Sequence, residues 1–176
     1  MGIATIYEEA EQAVKIADGR NPFDLLVAIG ARVKMSYEYE PDGLKGFATI
    51  INRQPFTVIN GHLSNADRRI VAGHEAAHLI LHRAEILLSP VKALQDFNLY
   101  TNNGRLEHQA NSFLADFLVS DKDILEAIAN DFDYFTTAQE LKLPTPLLAF
   151  KLYSMIGRGH NVKNPIGIES KFLGGS

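Results

Sequence analysis

His74-Glu75-Ala76-Ala77-His78 is the stretch that most constrains this chain. Two histidines four residues apart stand one above the other on the same face of an α-helix. Their imidazoles reach a common ion only if the backbone around them is helical. The Glu beside the first His then lies close to a water attacking at that ion. Two His ligands plus a carboxylate base make the zinc-hydrolase arrangement. A five-residue pattern also arises by chance, so the surrounding sequence decides what it means.

The surroundings are helical. Ser64 and Asp67 stand in capping-box spacing before a helix expected over 65–82, with Asp in place of the usual Glu. Ile70, Val71, Ala77, Ile80 and Leu81 give that helix enough apolar surface for a central position. Upstream, Ile3, Ile6, Tyr7, Ala10, Val14 and Ala17 recur at helical spacing, and Asp18-Gly19 closes this first helix. Asn21-Pro22 opens a second helix, with Asn as cap and Pro in the first turn; Gly30 ends it. The β-branched or aromatic runs 33–40, 45–51 and 55–59 are separated by Pro41-Asp42-Gly43 and Asn52-Arg53-Gln54-Pro55, and predict three strands in a small antiparallel sheet.

Residues 83–103 are expected to hold a short helix and a loop. After 102–104, the residues Leu106, Ala110, Phe113, Leu114, Phe117 and Leu118 mark a second strong helix, and shorter ones are expected over 121–130, 137–143 and 146–156. The tail 158–176 is expected to be flexible. The fold class is therefore α+β: a three-stranded antiparallel sheet packed on a mainly helical body, formed as one domain by residues 1–176.

Composition narrows the function classes. The formal net charge is −4, from 17 basic and 21 acidic residues, and no basic patch stands out, so direct nucleic-acid binding is disfavoured. The chain has no Cys, which removes disulfides, thiolate metal sites and thiol nucleophiles. Its first residues carry acidic charge early and lack the apolar run of a secretory signal. No apolar run approaches the roughly 18–20 residues a membrane span needs. A cytoplasmic protein is expected.

A catalytic zinc typically takes three protein ligands and keeps one position open. Glu107 is the favoured third ligand. It lies 29 residues after His78 (107 − 78), near the start of the second strong helix. Two antiparallel helices joined by a long connection bring such a carboxylate to the His pair. Asn111 shares the face of Glu107 and is placed to hydrogen-bond a ligand His and fix its tautomer. His82 is a weaker candidate: it shares the face of His78 but stands two turns, about 12 Å, from His74. It is expected at the rim or in a structural role. His108 and Glu85 qualify by residue type only, and His62 precedes the helix. Tyr100, Tyr153 and His160 have the chemistry to stabilise an oxyanion, but the sequence places none of them in the cleft.

Two segments together carry a family resemblance. Residues 69–82, Arg-Ile-Val-Ala-Gly-His-Glu-Ala-Ala-His-Leu-Ile-Leu-His, resemble the metal-site helix of the ImmA/IrrE metallopeptidases. Glu107-His108-Gln109-Ala110-Asn111-Ser112-Phe113-Leu114-Ala115 is similar to that family's second signature, E-x-x-A-N-x-F-A-x. The similarity covers roughly residues 46–120. The resemblance implies a zincin-like metallopeptidase domain with His74, His78 and Glu107 as ligands of one Zn2+ per chain and Glu75 as catalytic base. It further implies a stand-alone anti-repressor endopeptidase that cleaves a helix-turn-helix repressor of a phage or mobile element. The alternative is a non-catalytic regulatory module that binds a repressor or a small-molecule signal; the intact Glu75 argues against it. Three places depart from the family pattern. Ile70-Val71-Ala72-Gly73 stands where Phe-Thr-Leu-Ala is common, Ala76-Ala77 where Leu-Gly is common, and Ser120-Asp121 near a usual Pro.

Overall fold

The computed structural model describes residues 1–89 and 104–162, and the backbone of 93–96. Helices α1 (Ile3–Ile16) and α2 (Pro22–Ala28) open the chain, followed by strands β1 (Arg32–Ser36), β2 (Gly46–Ile51) and β3 (Gln54–Asn60). Next come α3 (Asn65–Leu81), α4 (Arg83–Leu88) and β4 (Ala93–Asp96). Helices α5 (Arg105–Leu118), α6 (Asp121–Ala129), α7 (Tyr134–Glu140) and α8 (Thr145–Gly157) complete the described residues.

Local chemistry sets most of these boundaries. The Asn21 side chain accepts from the Phe23 amide at 3.1 Å, and Pro22 fills the first turn of α2. Ser64 Oγ accepts from the Asp67 amide at 3.1 Å and starts α3. The β2–β3 hairpin turns through Asn52 and Arg53, whose φ angles of 52° and 68° match the twist of the flanking strands. Helix α7 begins three residues before the expected 137, because Asp133 caps it by accepting from the Thr136 amide at 2.7 Å.

The class is α+β, but the sheet differs from the expected three antiparallel strands. It has four strands in the order β1-β3-β2-β4 and is mixed. β2 runs antiparallel to β3 and to β4, whereas β1 runs parallel to β3, with Arg32 opposite Phe56 and Ser36 opposite Asn60. The cause lies in the connection 37–45. It is too long to act as a hairpin turn, so it does not dictate that β1 and β2 pair. It carries the chain across, and β3 inserts between them. Asn60 pins this crossing by donating from Nδ2 to the carbonyls of Glu40 (2.8 Å) and Leu44 (3.0 Å). β4 falls where a loop was expected, completing a ladder on the far side of β2.

Helix α3 occupies the centre. It packs against β2 and β3 on one side and against α2 and α5 on the other. Val71, Ala72, Ala76 and Ala77 are fully buried along it. At Gly73 an added Cβ would stand 2.4 Å from Leu114 Cδ1, so the absence of a side chain there lets α5 lie close to α3. This accounts for one departure from the family pattern. Ser120 accounts for another, because it starts α6 through a capping box with Asp123 instead of a Pro.

The far end of α5 is held by charge. Lys151 on α8 is fully buried, with Nζ 2.8 Å from both Asp116 Oδ1 and Asp121 Oδ1. Ser154 donates to Asp116 Oδ2 at 2.6 Å, and Arg158 makes two bonds of 2.7 and 2.8 Å to Asp121. The Arg158 guanidinium also lies over the Tyr7 ring of α1, 3.6 Å from its centroid. Arg20 donates to the carbonyls of Asp116 and Phe117, which end α5. At the start of the expected tail, Arg158 is ion-paired and Val162 is buried in the core. Residues 163–176 of that tail, and Tyr100, lie outside the described residues. Among the described residues, no helix is long and apolar enough to cross a membrane.

Candidate metal centre

His74 and His78 lie midway along α3 and are buried. Glu107 occupies the third position of α5, where the unpaired amides of a helix N-terminus favour a carboxylate. Gly104 begins that helix with φ 141°, a conformation that residues with a Cβ rarely adopt. The packing of α3 against α5 brings the three side chains together. Nε2 of His74 lies 3.1 Å from Glu107 Oε2, and Nε2 of His78 lies 3.4 Å from Glu107 Oε1. The two Nε2 atoms are 3.0 Å apart, and the imidazole rings meet edge to face. One possible ligand atom from each residue lies within 4.8 Å of the others.

The donor set suits a divalent cation. Two imidazole nitrogens and a carboxylate oxygen aimed at a common point match a three-residue zinc site. Burial acts to raise the pKa of Glu107, but the hydrogen bonds with His74 and His78 outweigh it, and the carboxyl is held well below its ordinary range. It therefore stays anionic, as a metal ligand must.

Asn111 stands behind His74. Its Oδ1 lies 3.1 Å from His74 Nδ1. An amide oxygen only accepts, so His74 donates from Nδ1 to Asn111, and Nε2 is the atom it would offer to a bound ion.

Glu75 is fully buried beside the pair, and β2 passes directly against it. A Cβ added to Gly46 would stand 3.0 Å from Glu75 Oε1 and 2.5 Å from Val71 Cγ1. A residue without a side chain is what permits this approach. Gly46 pairs with Asp96 of β4, the outer strand of the sheet.

The other sequence candidates fall elsewhere. His82 is not at the rim: it is 1% exposed, and its Nδ1 lies 2.9 Å from His78 Nδ1, behind the cluster rather than in it. Burial pushes its pKa below the ordinary value, against the opposing effect of the Gln109 hydrogen bond. His108 turns to the rings of Phe150 and Tyr153, 5.3 and 5.9 Å away between centroids. His62 sits near Tyr37 before α3. Glu85 lies on α4, outside the three-residue cluster. His160 pairs with Asp121 at the far end of α5 from Glu107. Sequence reasoning missed Gly46 and Gln109. For Gly46 no sequence signal exists, because nothing local says which strand crosses α3. Gln109 follows Glu107 by two residues, and only the packing shows that it meets His82.

The sequence profile of the peptidase family described as the IrrE N-terminal-like domain matches residues 28–153. The chain belongs to this family. No curated protein and no solved structure shows a significant match. The matched span of the IrrE N-terminal-like domain begins at the end of α2 and closes within α8, so it contains the whole sheet and every residue of the cluster. A metallopeptidase-like domain is thus the frame in which His74, His78 and Glu107 converge.

Proposed function

We propose that this chain is a zinc-dependent endopeptidase acting on a protein substrate. The convergence of two Nε2 atoms and the Glu107 carboxylate, with Glu75 adjacent in sequence to the first of them, carries the reading. His74, His78 and Glu107 would hold the ion, and Asn111 would keep His74 in the ligating tautomer. An ion held there would supply a Lewis acid for the scissile carbonyl and a water acidic enough to lose a proton near neutrality. Glu75 takes that proton and delivers it to the departing amine as the C–N bond breaks. Its burial against Gly46 fixes the carboxylate for both transfers.

An extended substrate would add as a strand to the outer edge of β4, which among the described residues is paired only with β2 and is level with Gly46. A helix-turn-helix repressor of a phage or mobile element is the proposed substrate, in keeping with the ImmA/IrrE resemblance of both signature segments. Zinc is preferred among divalent ions by the donor set, although the same three ligands also suit Mn, Co or Fe.

The test is metal content followed by cleavage. Purified native protein is expected to hold close to one zinc per chain, and Glu107→Ala and His78→Ala to lose it. Glu75→Gln should keep the zinc and leave a co-expressed repressor intact, while the native chain cuts it. Native protein without metal after zinc is supplied, or undiminished cleavage by Glu75→Gln, overturns the proposal.

A further inference from the structure

A chain of hydrogen bonds runs from the N-terminal residue to the second proposed ligand, and its polarity can be read from one end. The Met1 carbonyl can only accept, and Gln109 Nε2 donates to it at 3.2 Å. That contact sets the orientation of the Gln109 amide and turns Oε1 toward His82 Nε2 at 3.0 Å. An amide oxygen also only accepts, so His82 carries its proton on Nε2. The Nδ1 of neutral His82 then has a lone pair, and it faces His78 Nδ1 at 2.9 Å. His78 must donate across that contact. That leaves Nε2, on the side where Glu107 and His74 stand, as the atom His78 would offer to a bound ion.

We propose that His82 is a positioning residue: oriented by Gln109, it holds His78 as the Nδ1–H tautomer and so presents His78 Nε2 to the ion. The inference rests on the reading of His78 as a metal ligand. Several observations support it together. His82 is almost completely buried, and its ring packs beside that of His78 with centroids 5.0 Å apart. Its distance along α3 keeps it out of the ligand set, although it is the same residue type. The arrangement also gives the two proposed ligands matching support. Asn111 of α5 accepts from His74 Nδ1, and His82, held by Gln109 of the same helix, accepts from His78 Nδ1. Partners behind metal ligands fix ring orientation and raise ligand basicity, and their loss typically weakens metal binding by about 10–100-fold.

The test compares native protein, His82→Leu and His82→Asn. Leucine removes the acceptor, whereas the Asn side-chain oxygen can stand near the place of Nδ1. Zinc affinity is measured by competition with a chromogenic chelator, and folding of the metal-free proteins by thermal melting. The His78 tautomer is measured by 15N NMR of the imidazoles in metal-free native protein, which needs no variant to fold. The expected result is a His78 Nδ1–H tautomer, with zinc affinity reduced about 10–100-fold in His82→Leu and largely restored in His82→Asn. Restoration separates positioning from packing, because Asn fills the site no better than Leu. Native protein that binds zinc while His82→Leu binds it equally well overturns this inference alone. So does an Nε2–H tautomer of His78 in the native protein. Native protein that binds no zinc overturns the metal-site reading itself, and the inference falls with it.

Discussion

Gly46→Ala adds one methyl group at the point where β2 meets the proposed catalytic carboxylate. The new Cβ would stand 2.5 Å from Val71 Cγ1 and 3.0 Å from both Glu75 Oε1 and the Val58 carbonyl oxygen. Carbon atoms rest at about 3.5–4.0 Å, so the Val71 contact alone requires a displacement of about 1 Å. Val71 cannot provide it by turning. It is β-branched, fully buried and held to one preferred rotamer on a helix. The Val58 carbonyl belongs to the β2–β3 pair, in which Gly46 lies opposite Ile59. The strain therefore falls on the Glu75 carboxylate and on the separation of β2 from α3. Overpacking of this kind costs about 1–3 kcal/mol. For a chain of this size that lowers the melting temperature by roughly 2–12 °C, at about 2–4 °C per kcal/mol.

The same variant separates the metal from the base. The three atoms nearest the new methyl belong to Val71, Glu75 and Val58, not to the proposed ligands, so zinc content should remain native. The direct push on Glu75 Oε1 is a few tenths of an ångström, so cleavage should slow, by less than the roughly 100-fold that a misplacement of about 1 Å costs. Thermal melting, zinc content and repressor cleavage measured on one preparation give all three quantities. A Gly46→Ala protein that melts within about 1 °C of native and cleaves at the native rate refutes the idea that this glycine sets the position of Glu75.

Other perturbations address the ionic cluster. Lys151→Met removes the ammonium between Asp116 and Asp121 and leaves Asp116 as a buried carboxylate; a loss of about 3–5 kcal/mol in urea unfolding is expected, and a loss below about 1 kcal/mol contradicts the assignment. Burial acts to raise the pKa of Asp121, but Arg158 and Lys151 outweigh it, so the folded value lies below the ordinary one. A depressed carboxylate contributes stability that is present above its unfolded pKa of about 3.9 and is lost as the pH falls through the folded value. The stability difference between native protein and Asp121→Asn should thus be largest near neutrality and shrink below about pH 4. Asp116 is shifted upward by burial in the same cluster, which makes this difference, rather than the native acid curve alone, the informative quantity. An unchanged difference from pH 7 to pH 2 counts against the ion pair.

Helices α3 and α5 were legible because two signals agreed in each: apolar residues at helical spacing, and polar chemistry at the ends. The Ser64 cap and the spacing of His74 and His78 put that pair on one helix face; Glu107 was the favoured partner among several candidates, and the packing brings it to the pair. The sheet was legible strand by strand but not as a whole. Strand propensity belongs to each segment, whereas the parallel pairing of β1 with β3 depends on the path of residues 37–45, which no local rule fixes. β4 was missed because Ala93, Leu94, Gln95 and Asp96 include no β-branched or aromatic residue. At His82, helical spacing shows that the residue shares a face with His78, but not that the face is covered. The covering comes from α5, through Gln109, and decides between the rim and the structural position in favour of the latter.

Helix α5 carries the Glu107 carboxylate in its first turn and Asp116 nine residues later, about 13 Å along the axis at 1.5 Å per residue. A helix of this length behaves as a strut, so its two ends cannot settle independently. An ion bound by Glu107 favours the one placement of α5 in which Asp116 also meets Lys151 and Ser154, and coupling of this kind is reciprocal. Loading the site should then slow amide hydrogen exchange in α8, which meets α5 through Asp116, and disrupting Lys151 should loosen the metal by the same free energy. Occupancy at one end of the molecule becomes measurable as protection at the other.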